Sequence, residues 1–169
     1  MDCILMPAPQ ANATSRAELF RSQAPFNQIR NAVYHLIQFI QEQQIDAVEG
    51  LRRMGRDIAR TFARYWTPEA NDLTDVVAEI YRTVTGSKVK AEVTGDTVRV
   101  VDKKCRLCKY QQEGVDVAGC EIIASLVAEF TAQCQAQGLL SKRLESLGVE
   151  ESRTRGDRQC VHIYRVLTE

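Results

Sequence analysis

The period of the apolar residues differs between segments of this chain, and the order of those segments limits the folds it can adopt. Up to residue 85, apolar side chains recur every three or four positions, which is the period of an α-helix. They form three stripes, one for each predicted helix: Phe26, Ile29, Val33, Ile37 and Ile40; Val48, Leu51, Ile58, Phe62 and Tyr65; Leu73, Val76, Val77, Ile80 and Val84. From residue 88 onward, in the string KVKAEV, apolar and charged residues alternate, and this period of two predicts a strand.

Residues with special backbone preferences mark the ends of the predicted elements. Thr67-Pro68-Glu69 has the residue types of an N-cap, a first-turn proline and an acid, so it predicts the start of the third helix. Gly86 predicts the C-cap of that helix, and Gly95-Asp96 predicts a turn between two strands. Gly55 interrupts the second stripe. Because glycine costs a helix roughly 1 kcal/mol relative to alanine, we expect close packing against a neighbour there.

The second half of the chain adds one helix and one hairpin. Residues 115–137 return to the helical period, and residues 147–154 are expected to pair with residues 159–167. The predicted order is therefore three helices, a hairpin, a helix and a hairpin, written ααα-ββ-α-ββ. That order predicts an α+β domain in which helices pack on one side of a twisted antiparallel sheet.

Composition is typical of one globular domain that does not bind nucleic acid. The 169 residues are 44% hydrophobic, which is enough for a sizeable core. Basic and acidic side chains number 22 each and aromatic residues make up 7%, so a basic excess and abundant stacking side chains are both missing. We expect a single domain over residues 19–169, preceded by a mobile tail, residues 1–18, in which no period is found.

The location of the protein is inferred from what its sequence lacks. The first apolar run, Cys3 to Met6, is broken by Pro7 and is too short for a signal peptide. No segment approaches the ~20 apolar residues of a transmembrane helix. We therefore expect a cytoplasmic protein, with peripheral association with membranes as an option, in which the six cysteines are reduced.

Two cysteines, Cys105 and Cys108, lie three positions apart in the basic stretch KKCRLCKYQQ, residues 103–112. This spacing occurs in half of a zinc site, in a thioredoxin-type redox pair and in unrelated thiols, and the spacing alone does not choose among them. The flanking basic residues would lower the pKa values of the thiols. A basic run of this kind is more often a solvated loop, which is the interpretation we favour.

We expect no catalytic activity. His35 lies on the first predicted helix, and no serine or cysteine near it forms a recognisable nucleophile motif. No glycine-rich phosphate loop is found. Asp72, Asp75 and Glu79 lie along the third predicted helix, where we expect them to form its solvated face.

Two groups of apolar residues are candidates for binding. The first lies on the first helix outside its core stripe and predicts either an oligomer interface or a helix buried on several sides; it consists of Tyr34, Leu36 and Phe39. The second is expected at the mouth of the helix–sheet layer, as a ligand pocket or as ordinary core; it consists of Met54, Phe62, Trp66 and Tyr81.

Several short strings and the element order resemble the TRAPP core subunits, small α/β proteins that assemble side by side into a tether and GTPase activator of membrane traffic. The strings are LRRMGRDIARTF (51–62), DLTDVVAEIY (72–81) and GCEIIASLVAEF (119–130). The last hairpin, with GDRQC at 156–160, resembles the related vinyl-4-reductase domain, which binds small ligands or hydrocarbons. The resemblance covers about residues 18 to 168.

The two resemblances imply two different functions. The TRAPP resemblance implies a non-enzymatic assembly subunit of archaeal or ancestral type, which forms a homodimer or pairs with related subunits and acts with a small GTPase. Some TRAPP subunits carry an acylated cysteine just before the third helix. The corresponding residues 64–68, RYWTP, contain no cysteine, so lipid attachment there is not implied. The vinyl-4-reductase resemblance implies the alternative, a sensor of a lipid or hydrocarbon that contains a structural zinc.

The vinyl-4-reductase resemblance also implies two metal ligands. In zinc-bearing sensor domains of this type, one ligand precedes or opens the long helix and another follows the GD turn, positions that Cys120 and Cys160 occupy here. The other two ligands of the family lie on the strand before that turn. This chain has Val149 and Ser152 in that strand, and neither can replace them.

The missing pair suggests a role for Cys105 and Cys108. If Cys120 and Cys160 meet as the resemblance implies, the loop could bring these two thiolates to them. We therefore hypothesise a closed structural zinc site of four thiolates, with His162 as an alternate ligand because it lies on the same strand face as Cys160. Buried inert thiols are the competing interpretation, and a redox pair is a third.

Overall fold

The computed structural model describes residues 16–168, which form four helices and one four-stranded antiparallel sheet. The helices are α1 (Arg16–Glu42), α2 (Ala47–Phe62), α3 (Leu73–Thr85) and α4 (Glu121–Ala136). The strands are β1 (Lys90–Thr94), β2 (Thr97–Asp102), β3 (Arg143–Glu151) and β4 (Cys160–Leu167), with a 3-10 helix at Arg153–Arg155. The predicted fold class and element order are confirmed.

The sheet places the strand that comes last in sequence at its centre. The strands are ordered β1-β2-β4-β3, so β4 pairs with both β2 and β3. The register sets His162 opposite Val100 and Cys160 opposite Asp102. Because side chains alternate along a strand, Cys160 shares the face of β4 that is buried beneath the helices. That buried face of the two central strands includes Val98, Val100, His162 and Tyr164.

α4 is the central helix of the fold and contacts both α2 and β3. Its side chains are buried continuously from Glu121 to Val127, as expected for a helix covered on several sides. α2 approaches α4 so closely at Gly55 that a Cβ atom there would lie 2.2 Å from the carbonyl oxygen of Ile122. The prediction of close packing at Gly55 is therefore confirmed.

The predicted start of α3 at Thr67-Pro68-Glu69 was wrong. The N-cap is Asp72, whose side chain accepts a hydrogen bond from the backbone N–H of Thr74. The residues before it fold around Glu79, whose buried carboxylate accepts hydrogen bonds from the backbone N–H groups of Glu69 and Ala70. Glu79 is therefore not part of a solvated face. Its role depends on a tertiary contact that helical period alone does not reveal.

The remaining boundaries are close to those predicted. Gly86 caps α3 with a left-handed backbone (φ 66°), and Gly95 has the positive φ of the predicted turn. α4 is shorter than the predicted 115–137, because residues 103–120 form an irregular loop. The predicted tail lies outside the described residues as far as residue 15, and its last three residues belong to α1. Within residues 16–168, none of the helices combines the length and apolar composition needed to span a bilayer.

Candidate metal centre

Four cysteines from three separate segments meet in the interior. Cys105 and Cys108 come from the loop between β2 and α4, Cys120 immediately precedes α4, and Cys160 opens β4. Their Sγ atoms all lie within 4.8 Å of one another, and each residue is at most 1% exposed. These are the four thiols of the sequence-based hypothesis. β4 and α4 bring Cys160 and Cys120 together, and the loop adds the other two.

The spacing of the four sulfur atoms suits a tetrahedral ion. Zinc–thiolate bonds of about 2.3 Å place the sulfurs of a tetrahedral site about 3.8 Å apart. No two of the four Sγ atoms are more than 4.8 Å apart, so no separation exceeds the ideal one by more than about an ångström. Four protein thiolates complete the coordination shell, so the donor set fits a structural zinc and leaves no position for a substrate.

The thiols perturb one another strongly. The pKa of Cys108 lies well below its ordinary value, because the thiols of Cys105, Cys120 and Cys160 donate hydrogen bonds to its thiolate. The pKa of Cys105 is raised, chiefly by its hydrogen bond to Cys108, and burial raises the pKa of Cys120. A bound cation would displace the remaining protons and compensate the charge of the thiolates.

His162, the alternate ligand, belongs to a separate hydrogen-bonding group beside the cluster. Its Nδ1 atom is hydrogen-bonded to the hydroxyl of Tyr81, which also lies 2.9 Å from the hydroxyl of Tyr164. The rings of Tyr81 and His162 are stacked with centroids 5.6 Å apart. Burial lowers the pKa of His162 to about 4, so its imidazole is neutral near pH 7.

Two side chains of α1 donate hydrogen bonds to the backbone of the two residues between Cys105 and Cys108. The hydroxyl of Tyr34 donates a hydrogen bond of 2.9 Å to the carbonyl oxygen of Leu107 and also contacts the hydroxyl of Thr154. One turn earlier, the guanidinium of Arg30 donates a hydrogen bond of 2.9 Å to the carbonyl oxygen of Arg106. The conformation of the cysteine loop and the position of α1 are therefore coupled.

These contacts correct part of the predicted interface. Tyr34 is only 4% exposed and points into the chain, so it offers no surface to a partner. Leu36 is half-buried, and Phe39 is 58% exposed. The sequence contained a signal for the inward contacts, since Arg30 and Tyr34 are four residues apart and therefore lie on one face of the helix.

The four predicted pocket residues do not line one pocket. Met54 and Phe62 line a groove of about 600 Å³ along α2, together with the exposed side chains of Ile58 and Tyr65. Trp66 packs on Phe62 and Phe130, at centroid distances of 5.7 and 5.3 Å. Tyr81 is fully buried beside His162 and does not line this groove.

Comparison with known proteins identifies the fold. No family model matches the sequence, and no curated protein matches it. Among solved structures, the chain is similar to trafficking protein particle complex subunit 3 from Naegleria fowleri, in a crystal structure where that protein is covalently bound to palmitic acid. The TM-score is 0.66, the identity is 12%, and the match covers 86% of this chain and 96% of that chain. The TRAPP-like fold is thus confirmed, whereas the vinyl-4-reductase resemblance stays a prediction.

Proposed function

We propose that this chain is a non-enzymatic assembly subunit of the TRAPP type, which forms a homodimer through α1 and α2 and contains a structural zinc. The observation that carries the proposal is the similarity of fold to a trafficking protein particle subunit over 86% of the chain. Within that fold, the exposed apolar faces of α1 and α2 would form the interface, and the four clustered thiols would bind the zinc.

α1 carries an exposed apolar stripe that supports assembly. Ile29 is 50% exposed and Phe39 is 58% exposed, with the half-buried Leu36 between them. These residues are spaced by seven and then three positions, so they lie on one face of the helix. The face that carries Val33 and Ile37 is buried in the core. An exposed apolar stripe beside a core-facing one is typical of a protein–protein interface.

α2 extends this surface. Its groove is lined by Met54, Ile58, Phe62 and Tyr65, which recur at helical spacing. The groove adjoins α1 at its other end, because a Cβ atom on Gly50 would lie 3.6 Å from Cδ1 of Ile40. The stripe on α1 and the groove on α2 are thus close enough for a second copy of the chain to cover both.

A structural zinc at the four cysteines would support the same surface from within. The metal would hold the loop at Cys105 and Cys108 against α4 and β4. The carbonyl groups between those two cysteines accept hydrogen bonds from Arg30 and Tyr34 of α1. Zinc would therefore stabilise α1, whose opposite face carries the apolar stripe, and would supply no catalytic chemistry.

Sedimentation equilibrium tests the interface. The wild-type chain should be dimeric at micromolar concentration, and Phe39→Glu should shift it to monomer because a charge would be buried against apolar groups. Val93→Glu is the matched control, since Val93 is 51% exposed on β1, away from α1 and α2. A monomeric wild-type protein, or a Phe39→Glu variant that stays dimeric, would contradict the interface.

Native mass spectrometry tests the metal. The purified chain should hold one zinc ion, which is lost in Cys105→Ser and in Cys160→Ser because each removes one of four ligands. Cys134→Ser is the control, because Cys134 is buried but lies outside the cluster. Retention of zinc in Cys105→Ser, or an absence of zinc in the wild type, would leave the cluster as buried thiols without affecting the assembly proposal.

A further inference from the structure

Seven of the 22 basic residues of this neutral sequence line one pocket. The pocket has a volume of about 680 Å³ and lies beside the cysteine cluster, with Cys105 in its wall. None of the described residues that line it is acidic. Its seven basic lining residues come from α1, the α3–β1 connection, the cysteine loop and the 3-10 helix: Arg30, Lys88, Lys103, Lys104, Arg106, Lys109 and Arg153.

These basic groups form none of the ion pairs that several basic residues elsewhere form. Elsewhere in the described part of the chain, Arg52, Arg60 and Arg99 each form an ion pair with a glutamate. Across residues 16–168, none of the seven pocket residues has a carboxylate oxygen within 4.0 Å of its charged nitrogens. The nearby acid Asp102 is buried, and its Oδ1 accepts a hydrogen bond from the backbone N–H of Lys104.

Arg30 is the most informative of the seven. It is only 4% exposed, and its guanidinium is bonded to the carbonyl oxygen of Arg106 and to the side-chain oxygen of Asn27. A buried arginine is ordinarily paired with an anion, because removing a charge from water is costly. Neither of its two hydrogen-bond partners carries a negative charge.

Neighbouring aromatic rings lie against the guanidinium groups of two of the arginines. The guanidinium of Arg106 lies 4.8 Å from the centroid of Phe26, and that of Arg30 lies 5.7 Å from the centroid of Tyr110. Such stacking restricts the side chains while leaving guanidinium N–H groups available for an acceptor. The pocket therefore has two arginines held against aromatic rings in addition to its lysines.

We propose that this pocket binds a small ligand that carries more than one phosphate group. Arginine presents paired N–H donors that match phosphate oxygens, and lysine adds point charges. A volume of about 680 Å³ lies within the range of small-molecule sites. The ligand can be free in solution or the headgroup of a phosphorylated lipid, and the shared chemistry is the phosphate cluster. The proposal does not depend on dimerisation or on zinc.

Calorimetric titration with inorganic pyrophosphate and inositol hexakisphosphate tests for a free ligand. Co-sedimentation with phosphatidylcholine vesicles, with and without phosphatidylinositol monophosphate, tests for a lipid headgroup. In either arm we expect saturable binding that weakens as salt is raised, because the contacts are electrostatic. Binding in the titration identifies a free ligand as sufficient, and binding only to the phosphorylated vesicles identifies the lipid as the source.

The decisive variant is Lys103→Gln/Lys104→Gln, because both side chains are exposed and their loss does not affect the core. We expect binding at least about tenfold weaker than that of the wild type. Lys90→Gln/Lys142→Gln is the matched control, with the same change in charge at exposed sites outside the pocket. Arg30→Met should abolish binding if it folds.

Absence of saturable binding to any of these probes would overturn the proposal. So would equal affinities of the Lys103→Gln/Lys104→Gln and Lys90→Gln/Lys142→Gln variants. Because both lysines lie away from the exposed stripe on α1, the pocket variant should keep the oligomeric state and zinc content of the wild type. Failure of this proposal is thus distinguishable from failure of the assembly and metal proposals.

Discussion

α4 and α1 are held to the rest of the fold in different ways. α4 is attached by close apolar packing, with its backbone against Gly55 of α2 and its buried side chains against the sheet. α1 also has a core-facing stripe, but its contact with the cysteine loop consists of hydrogen bonds from Arg30 and Tyr34 to loop carbonyls. The first attachment depends on shape, whereas the second depends on the conformation of an irregular loop.

Packing alone therefore holds α4 in place, whereas a metal ion bound to the cysteine loop would strengthen the attachment of α1. The packed α2–α4 contact needs only its own side chains and a glycine. The loop at residues 103–120 has no regular structure, and its conformation is set by the cysteine cluster and by the two carbonyls that α1 contacts. Perturbing the first contact should destabilise the whole fold, and perturbing the second should loosen α1 first.

The largest effect is expected from Gly55→Ala. The added Cβ would lie 2.2 Å from the carbonyl oxygen of Ile122, so α2 and α4 must separate, and we expect a loss of about 3 kcal/mol in the free energy of unfolding. Gly50→Ala is the matched control in the same helix. Its Cβ would meet Ile40 at an ordinary 3.6 Å, and the gain in helix propensity should leave stability unchanged or raise it by up to about 1 kcal/mol. Equal effects of the two changes in urea unfolding would show that packing at Gly55 is not critical.

An intermediate and more local effect is expected from Tyr34→Phe. The change leaves the carbonyl oxygen of Leu107 and the hydroxyl of Thr154 without their partner, which should cost about 2 kcal/mol. Hydrogen exchange should accelerate in α1 and in the cysteine loop more than in α4. Tyr65→Phe, at a site 77% exposed, should change neither. Uniform acceleration across all helices would remove the distinction between the two attachments.

The smallest effect concerns the start of α3 and depends on pH. Hydrogen bonds from the hydroxyl and the backbone N–H of Thr74 lower the pKa of Asp72 below its ordinary value. Its carboxylate therefore stabilises the fold above the unfolded-state pKa of about 4, and this contribution is lost as the pH falls through the lower folded-state pKa. Asp72→Ala should cost about 1 kcal/mol at pH 7 and less near pH 3, as measured by thermal unfolding. A cost that does not depend on pH would show that the charge contributes nothing.

The elements that depend on local period were predictable from the sequence. The three helical stripes, the turn at Gly95-Asp96 and the cap at Gly86 follow from side-chain spacing and backbone preference alone. The close contact at Gly55 was predictable. A glycine inside a helix lowers its stability, so it is expected where close packing leaves no room for a side chain. The start of α3 was not predictable in this way. Thr67-Pro68 has favourable capping chemistry, but the buried carboxylate of Glu79 holds the following residues outside the helix.

The candidate sites depend on contacts between distant segments, and they were predictable to different extents. Spacing paired Cys105 with Cys108, but only the resemblance to a known family linked them to Cys120 and Cys160. For Tyr34 the sequence left open an oligomer interface or a helix buried on several sides, because its hydroxyl partners lie 73 and 120 residues away. The basic pocket was missed altogether, because its residues come from four segments and the basic run at residues 103–109 looks like a solvated loop when considered alone.

The position of β4 at the centre of the sheet has a consequence for how the protein is made. Until residues 160–167 have left the ribosome, β2 has only β1 as a neighbouring strand, and β3 has no neighbouring strand. During synthesis the β1–β2 hairpin therefore presents an open strand edge, which is a template for pairing with other chains. Cys160 also emerges after the other three thiols, so a nascent chain can assemble at most three of the four. Folding of this sheet is therefore expected to be completed only once β4 has emerged and paired with β2 and β3.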